Sequence, residues 1–346
     1  MIDIQDYGFE PSMLPVGSDH LPARVTAVHR QRYEIVCKYG FIYARLKSAN
    51  YYTQNELFPI VGDFVLIQYE SSGDSLIVQT LPRKSIFSRR DPGPRPVEQP
   101  VAANFDIVFV MTSLNQDLNL NRLERYLTLT WQSGALPVIV LTKSDLVDDY
   151  SDQIARVRDV SIGIDVIAVS SVTGYGLDQL KAYLKPRVTT IFLGSSGVGK
   201  SSLLNALAGE SLMKVNSIRE QDSRGRHTTT HRELFMLQTG AMIIDTPGMR
   251  ELGMWDIGDG LASSFGDVEE ILQRHCRFAD CKHRTEPGCA VKEALADGEL
   301  APERWNNYLK LKREAEYIEK RNAIASQKAQ KSANTLRKER KDEHIL

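Results

Sequence analysis

The residues able to do chemistry fall into three clusters. The first is Gly194-Ser195-Ser196-Gly197-Val198-Gly199-Lys200-Ser201, which fits G-x-x-x-x-G-K-[ST]. It lies between an apolar strand-like run, TTIFL, and a helix-like run that opens on Ser201 and Ser202. Glycines at those positions let backbone N–H groups curl around phosphate oxygens, and a helix N-terminus adds partial positive charge. Lys200 is expected on the β- and γ-phosphates and the Ser201 hydroxyl on Mg²⁺. Asp245-Thr-Pro-Gly248 closes a second apolar run, AMIID. An acid there can hold Mg²⁺, directly or through water, and the Gly248 amide can sense a γ-phosphate. Between the two, residues 216–232 are polar, basic and threonine-rich, with no amphipathic period. They read as a switch segment in which Thr228, Thr229 or Thr230, with Thr229 preferred, ligates Mg²⁺.

The second cluster chooses the base. Thr142-Lys143-Ser144-Asp145 ends the run PVIVL and resembles a guanine-reading motif. A carboxylate at Asp145 can accept both N1–H and the exocyclic amine of guanine. Adenine offers neither donor and would leave the carboxylate unpaired. The Lys143 stem is expected along the base, and Thr142 stands where Asn is more usual. Ser170-Ser171-Val172-Thr173-Gly174 ends the next apolar run, DVIAV, one strand–helix unit later. A backbone N–H of that loop is expected on guanine O6. Both base-reading loops precede the phosphate loop, the reverse of the usual order. A site depends on where loops converge in space, so circular permutation preserves it. The second switch, after Gly248, then runs straight into the C-terminal region, which nucleotide state is expected to move.

The third cluster is Cys276-x₄-Cys281-x-His283-x₅-Cys289. Three thiolates and one imidazole make a closed tetrahedral set, expected to hold one structural Zn²⁺, with His275 a rival ligand. Crowding of three of the four cysteines, in a chain whose first residues lack an apolar signal core, favours metal over disulfides.

These clusters need elements to position them. Residues 22–81 contain five short alternating runs separated by glycine and polar turns, which suits a small OB-type β-barrel. Residues 83–100 hold five basic residues and four prolines and read as a basic extended linker. From 101 to 255, near-continuous apolar strands alternate with helical stretches, the pattern of a mostly parallel sheet covered on both faces. Residues 256–346 read as helical around the cysteine loop. The expected domains are therefore 1–82, 83–100, 101–255 and 256–346. The stretch 303–346 has 12 Lys/Arg against 7 Asp/Glu, on an expected helix with a frayed end.

The bulk numbers exclude little. With 42% hydrophobic and 25% charged residues and a formal net charge of −1, the chain is not uniformly basic, although local basic patches remain open. No apolar run approaches about 18 residues, so no membrane span is expected and the compartment reads as cytoplasm.

Taken together, TKSD, SSVTG, GSSGVGKSS, GRHTTTHREL, DTPGMREL and CRFADCKHRTEPGCAV resemble, in types and order, the circularly permuted RsgA (YjeQ) GTPase family. The resemblance covers about residues 22–295. It implies GTP hydrolysis that is slow alone and stimulated by the 30S ribosomal subunit, in late maturation of that subunit. It further implies that the barrel and zinc domains contact 16S rRNA and ribosomal protein, with GTP and GDP as ligands; monomer is the default. The usual water-orienting Gln after DxxG is missing, since Met249 and Arg250 follow DTPG. His227 is the expected replacement, with Arg224, Arg226 and Arg250 weaker candidates for stabilising transition-state charge. A scaffold using GTP only as a structural ligand, and a large-subunit assembly factor, are the competing readings.

Overall fold

The computed structural model describes residues 1–29, 32–47, 51, 57–90, 98–115, 118–209, 232–245, 258–317 and 320. The chain divides into two compact units, Met1–Gly253 and Met254–Leu346.

The first unit begins with a strap of two 3₁₀ turns, Ile4–Tyr7 and Pro11–Met13. Then come β1 (Leu21–His29), β2 (Arg32–Cys37), β3 (Gly40–Leu46), β4 (Phe64–Gln68) and β5 (Ser75–Thr80). These match the five alternating runs. They pair in the order β1-β2-β3-β5-β4 and close through β1–β4, with β3 and β5 parallel. The result is a five-stranded OB-like barrel. Its core includes Val25, Ile35, Val65, Ile67 and Ile77, together with the lone Cys37. Phe9 of the strap packs outside on Phe64, Leu66, Val78 and Leu81.

Residues 83–100, expected as a basic extended linker, contribute to two strands. β6 (Ile86–Arg90) pairs antiparallel with β7 (Glu98–Ala103). β8 (Ile107–Ser113), β9 (Leu136–Thr142), β10 (Val166–Ala168), β11 (Thr189–Gly194) and β13 (Met242–Asp245) form a parallel sheet in the order β10-β9-β8-β11-β13. Helices α1 (Leu120–Gln132), α2 (Ser151–Asp159), α3 (Leu177–Lys181) and α4 (Lys200–Ala208) lie between them in sequence. Leu177, Leu180, Leu203, Leu204 and Leu207 join Phe109, Val140, Phe192 and Ile243 in one buried core. Asn119 caps α1 by accepting the Arg122 N–H at 3.0 Å. No described helix is long and apolar enough to cross a membrane.

A strand absent from the sequence reading, β12 (Glu233–Met236), runs antiparallel to β13 and also meets β1, with Ala27 opposite Glu233. Barrel and GTPase-like sheet thus form one eleven-stranded sheet. The join is cemented by Arg24, which is 1% exposed. Its guanidinium donates to the carbonyls of Tyr7 (2.5 Å), Gly62 (3.2 Å) and Asn104 (2.7 Å) and lies 4.8 Å from the Phe64 ring centroid. Burial pulls its pKa down to about 10, so it stays charged at neutral pH. Beside it, Arg83 donates to both oxygens of the fully buried Asp63 carboxylate at 2.8 and 2.7 Å. Gly62 adopts φ +91°, and a Cβ there would lie 2.1 Å from the Ala103 carbonyl and 2.9 Å from Ile244. Arg24→Met keeps the bulk but leaves three buried carbonyls without this donor. It should lower unfolding free energy by about 3 kcal/mol or more, measured by denaturant titration of the full chain.

The second unit has its own core. α5 (Gly258–Ser264), α6 (Gly266–Leu272), α7 (Ala290–Ala296) and α8 (302–317) bury Phe265, Val268, Val291, Trp305, Tyr308 and Leu311. Arg304 grips both Asp267 oxygens, at 2.6 and 2.5 Å.

Candidate functional site

Parallel pairing places the C-terminal ends of β8, β9, β10, β11 and β13 along one edge of the sheet. Chain order reverses there. β8, β9 and β10 succeed one another in one direction, and β11 then returns to the other side of β8. Ligands of open α/β sheets bind in the crevice at such a reversal. The loops after β9, β10 and β11 carry TKSD, SSVTG and the glycine-rich run. Permutation has changed their order in the chain while leaving them on the same edge.

The glycine-rich turn runs from Gly194 into α4. Gly194 is pressed against β8, where a Cβ would meet the Met111 carbonyl at 2.8 Å. Gly197 and Gly199 have φ of +72° and +103°, and nothing lies within 4 Å of where their Cβ atoms would be. A left-handed backbone with open space in front of it is the cradle that phosphate oxygens need. Val198 is buried and anchors the turn, whereas Ser196 and Gly197 are exposed and Ser195, Gly199, Ser201 and Ser202 half-buried. The Lys200 ammonium donates back to the Gly194 and Ser195 carbonyls, at 2.6 and 3.0 Å. It thus already lies folded over the turn.

Thr142 does something that its place in the motif did not announce. It is 2% exposed, and its hydroxyl donates to the Val198 carbonyl at 2.6 Å, while its own carbonyl accepts the Leu114 N–H at 3.0 Å. One residue thereby ties the loop after β9 to the glycine-rich turn and to the end of β8. Thr142→Val keeps the shape and removes the donor. Leaving the Val198 carbonyl unsatisfied should cost about 1–3 kcal/mol, read as weaker guanine-nucleotide affinity and a lower melting temperature. Unchanged values in both would remove this brace from the account.

Lys143 takes the left-handed conformation, φ 60°, uncommon for a residue with a side chain and concentrated at functional turns. The turn lets the Ser144 N–H reach the Val169 carbonyl at 3.1 Å and leaves Asp145 exposed at the rim. Ser170 is fully buried. Its hydroxyl accepts the Val172 and Thr173 N–H groups at 3.2 and 3.1 Å, and its own N–H donates to the Tyr175 carbonyl at 3.0 Å. Ser170 therefore shapes the loop, and half-buried Ser171 is the better placed of the pair to meet a base. Asp245 ends β13, half-buried, opposite Glu233. His227, Thr229 with its neighbours Thr228 and Thr230, Gly248, and the arginines at 224, 226 and 250 lie outside the described residues.

In the second unit Cys276, Cys281, His283 and Cys289 bring their ligand atoms within 4.8 Å of one another, so the group can hold a metal ion. The three sulfurs lie 3.6, 3.7 and 3.4 Å from His283 Nδ1. Bonds of about 2.0–2.3 Å to a central tetrahedral ion require N···S edges of about 3.6 Å, so the set is already spaced for four-coordination. Desolvation, followed by its sulfur neighbours Cys289 and Cys276, pushes the Cys281 thiol up to about 11. A bound cation is what would let such thiols ionise. A residue overlooked in the sequence, Glu286, orders the turn. Its carboxylate accepts the N–H groups of Lys282 (3.2 Å), Arg284 (2.8 Å) and Thr285 (2.9 Å), and such backbone donors, its own first, hold its pKa at about 2. That brace encloses His283, which adopts φ 56° and meets Trp305 edge-on. The run His-Arg-Thr-Glu-Pro-Gly carried the signal, an acid just before a Pro-Gly turn.

Comparison with known proteins agrees with this geometry. A family model described as RsgA GTPase matches residues 80–255. The chain is 47% identical over 327 residues to a Listeria innocua protein named small ribosomal subunit biogenesis GTPase RsgA 1, covering 93% of this chain and 92% of that one. It is 41% identical to a Methanosarcina acetivorans protein named small ribosomal subunit biogenesis GTPase RsgA, covering 90% of this chain and 84% of that one. The crystal structure of YjeQ from Thermotoga maritima aligns with TM-score 0.64 and 26% identity over 86% of this chain and 98% of that one. The crystal structure of YloQ, a circularly permuted GTPase, aligns with TM-score 0.60 and 28% identity over 89% of this chain and 98% of that one. Permuted loop order, a preformed phosphate cradle and these matches lead to one conclusion: the chain belongs to the RsgA GTPase family and is a GTP hydrolase.

Proposed function

We propose that this GTPase acts in late maturation of the 30S ribosomal subunit, that the subunit stimulates its hydrolysis, and that the barrel and the metal-binding unit contact 16S rRNA. The convergence of two base-reading loops and the open glycine cradle on one sheet edge, in a chain whose relatives are named for small-subunit biogenesis, supports this reading most strongly.

In this scheme Asp145 reads guanine N1–H and N2, Lys143 lies along the base, Thr142 braces the loops and Ser171, shaped by Ser170, meets O6. The turn from Gly194 to Ser202 wraps the phosphates, with Lys200 moving from the Gly194 and Ser195 carbonyls to the β- and γ-phosphate oxygens. Ser201, Thr229 and Asp245 hold Mg²⁺, which neutralises phosphate charge when bound. Gly248 senses the γ-phosphate, and His227 orients the attacking water when the subunit is bound. Cys276, Cys281, His283 and Cys289 hold one structural Zn²⁺, the chemistry that suits three thiolates and an imidazole. The protein acts in the cytoplasm as a monomer.

Phosphate release with and without 30S subunits tests the scheme, together with co-sedimentation against separated 30S and 50S subunits in a GTP analogue. Stimulation at least about a hundredfold is expected from supplying one missing catalytic group. His227→Ala should keep GTP binding and lose most of that stimulation. Turnover indifferent to 30S, or co-sedimentation with 50S alone, would sink the scheme.

A further inference from the structure

The loops after β9 and β10 leave strands that pair in parallel as far as Leu141 opposite Ala168. Past that row a backbone bond joins them, from the Ser144 N–H to the Val169 carbonyl at 3.1 Å. Apolar packing adds little at the tips, where Leu146 and Val172 are 62% and 85% exposed. Tyr175 is held in another way. It lies between Gly174 and Gly176, both left-handed at φ +82° and +71°, and a Cβ at Gly176 would lie 2.1 Å from the Ala168 carbonyl. Its N–H donates to the Thr173 hydroxyl at 3.3 Å, and its carbonyl accepts the Ser170 N–H at 3.0 Å. The backbone is thus fixed on both sides, yet the ring is 55% exposed and its hydroxyl is hydrogen-bonded to that of Tyr150. Tyr150 is anchored too. It opens α2, where its carbonyl accepts the Ile154 N–H at 3.0 Å, while neighbouring Asp149 accepts the Ser151 N–H at 2.9 Å. The bond to Tyr175, aided by partial burial, pushes the Tyr150 pKa up, so that hydroxyl keeps its proton at neutral pH.

We infer that Tyr150 and Tyr175 are positioning residues for the base: their hydrogen bond is a strut that holds the loop bearing Asp145 at a fixed distance from the loop bearing Ser171. The inference rests on the proposed assignment of guanine to those two loops and adds what sets their spacing. Asp145 takes N1–H and the exocyclic amine, and the Ser171 loop takes O6, so one rigid base must satisfy both loops at once. Hydrogen bonds weaken steeply outside a narrow range of distance and angle. Loops free to drift apart by about 1 Å would therefore keep only one set of contacts. A bond between partly exposed hydroxyls is modest, worth about two- to tenfold in an equilibrium constant. That is enough to set how long a nucleotide stays. Contacts to phosphate do not depend on the strut, because the glycine-rich turn is held separately by the Thr142 hydroxyl and by the press of Gly194 on β8.

The test uses the full chain loaded with fluorescently labelled GDP or a non-hydrolysable GTP analogue, with release followed after a chase of unlabelled nucleotide. Tyr150→Phe and Tyr175→Phe should each speed release of both ligands about three- to tenfold. The apparent KM for GTP should rise by a similar factor while kcat changes less than about twofold, the split expected when only ground-state binding is lost. The double variant should release no faster than either single one, since both remove the same bond. Tripolyphosphate, which competes for the glycine-rich turn and carries no base, should bind all three variants as it binds the wild type. A general loosening of the fold would instead add up in the double variant and weaken tripolyphosphate as well. Unchanged release in both single variants, additive losses in the double one, or a matching loss of tripolyphosphate affinity overturns the strut. Asp145→Asn is the control for the base. If that variant keeps the wild-type preference for GTP over ATP, the assignment of guanine to these loops fails and takes the strut with it. If it loses the preference while Tyr175→Phe releases nucleotide at the wild-type rate, the strut alone fails.

Discussion

Lys200→Ala should lower GTP turnover by about a hundred- to a thousandfold, the usual effect of deleting one preorganised donor aimed at developing charge. The geometry argues for the upper end. The ammonium already rests on the Gly194 and Ser195 carbonyls, at 2.6 and 3.0 Å, inside the turn that would wrap the phosphates. Nucleotide bound in that turn would exchange two neutral acceptors for anionic ones, which form stronger hydrogen bonds. Arginine is a poor substitute, because its planar fork cannot occupy the place of a compact point charge. Single-turnover hydrolysis and titration with a fluorescent guanine nucleotide would separate loss of chemistry from loss of binding. Wild-type turnover in Lys200→Ala would mean that the glycine-rich turn is not the phosphate site.

The second large effect concerns the metal centre. Cys281→Ser should reduce bound metal from about one ion per chain to near zero and unfold the helices around it. Structural zinc contributes about 10–16 kcal/mol of apparent binding energy in small finger peptides. That matches or exceeds the whole stability of an ordinary domain. Here Cys289 is buried and sits at the start of α7, while His283 meets Trp305 of α8, so the ligands are built into the unit's core. Every described nucleotide-site residue lies in the other unit, Met1–Gly253, so basal GTP hydrolysis should persist. Metal content, far-UV helicity and protease resistance would be measured together. A metal-free chain that keeps its full helical signal would show the centre to be dispensable for folding.

Legibility in the sequence followed the length scale of each interaction. The barrel strands and the parallel strands were readable because burial imposes period two on the former and near-continuous apolar runs on the latter. Motif residues were readable because backbone geometry at Gly197 and Gly199 admits few alternatives. The β6–β7 pairing was not, since four prolines in 83–100 imitate an extended linker. β12 is only four residues long and is set by partners on both sides, information that no local window contains. Arg24 looked like an ordinary strand arginine. Its importance comes from three carbonyls contributed by residues far apart in the chain. For Thr142 the motif pointed to a base, while in the fold its hydroxyl donates to the Val198 carbonyl of the glycine-rich turn.

The shared sheet also bears on the order in which the molecule can be made. β1 leaves the synthesising ribosome first, yet the neighbour that completes it at Ala27 is Glu233, about 200 residues later. β11 needs β8 on one side and β13 on the other. The growing chain can therefore assemble the barrel and the strands β8, β9 and β10 while a strand edge on each awaits its partner. Such edges are sticky, and long-range pairing is slow. A nascent chain of this design completes the sheet around its glycine-rich turn only after β13 has emerged, long after the barrel strands, so it should not turn over GTP until the strand linking its two halves has emerged.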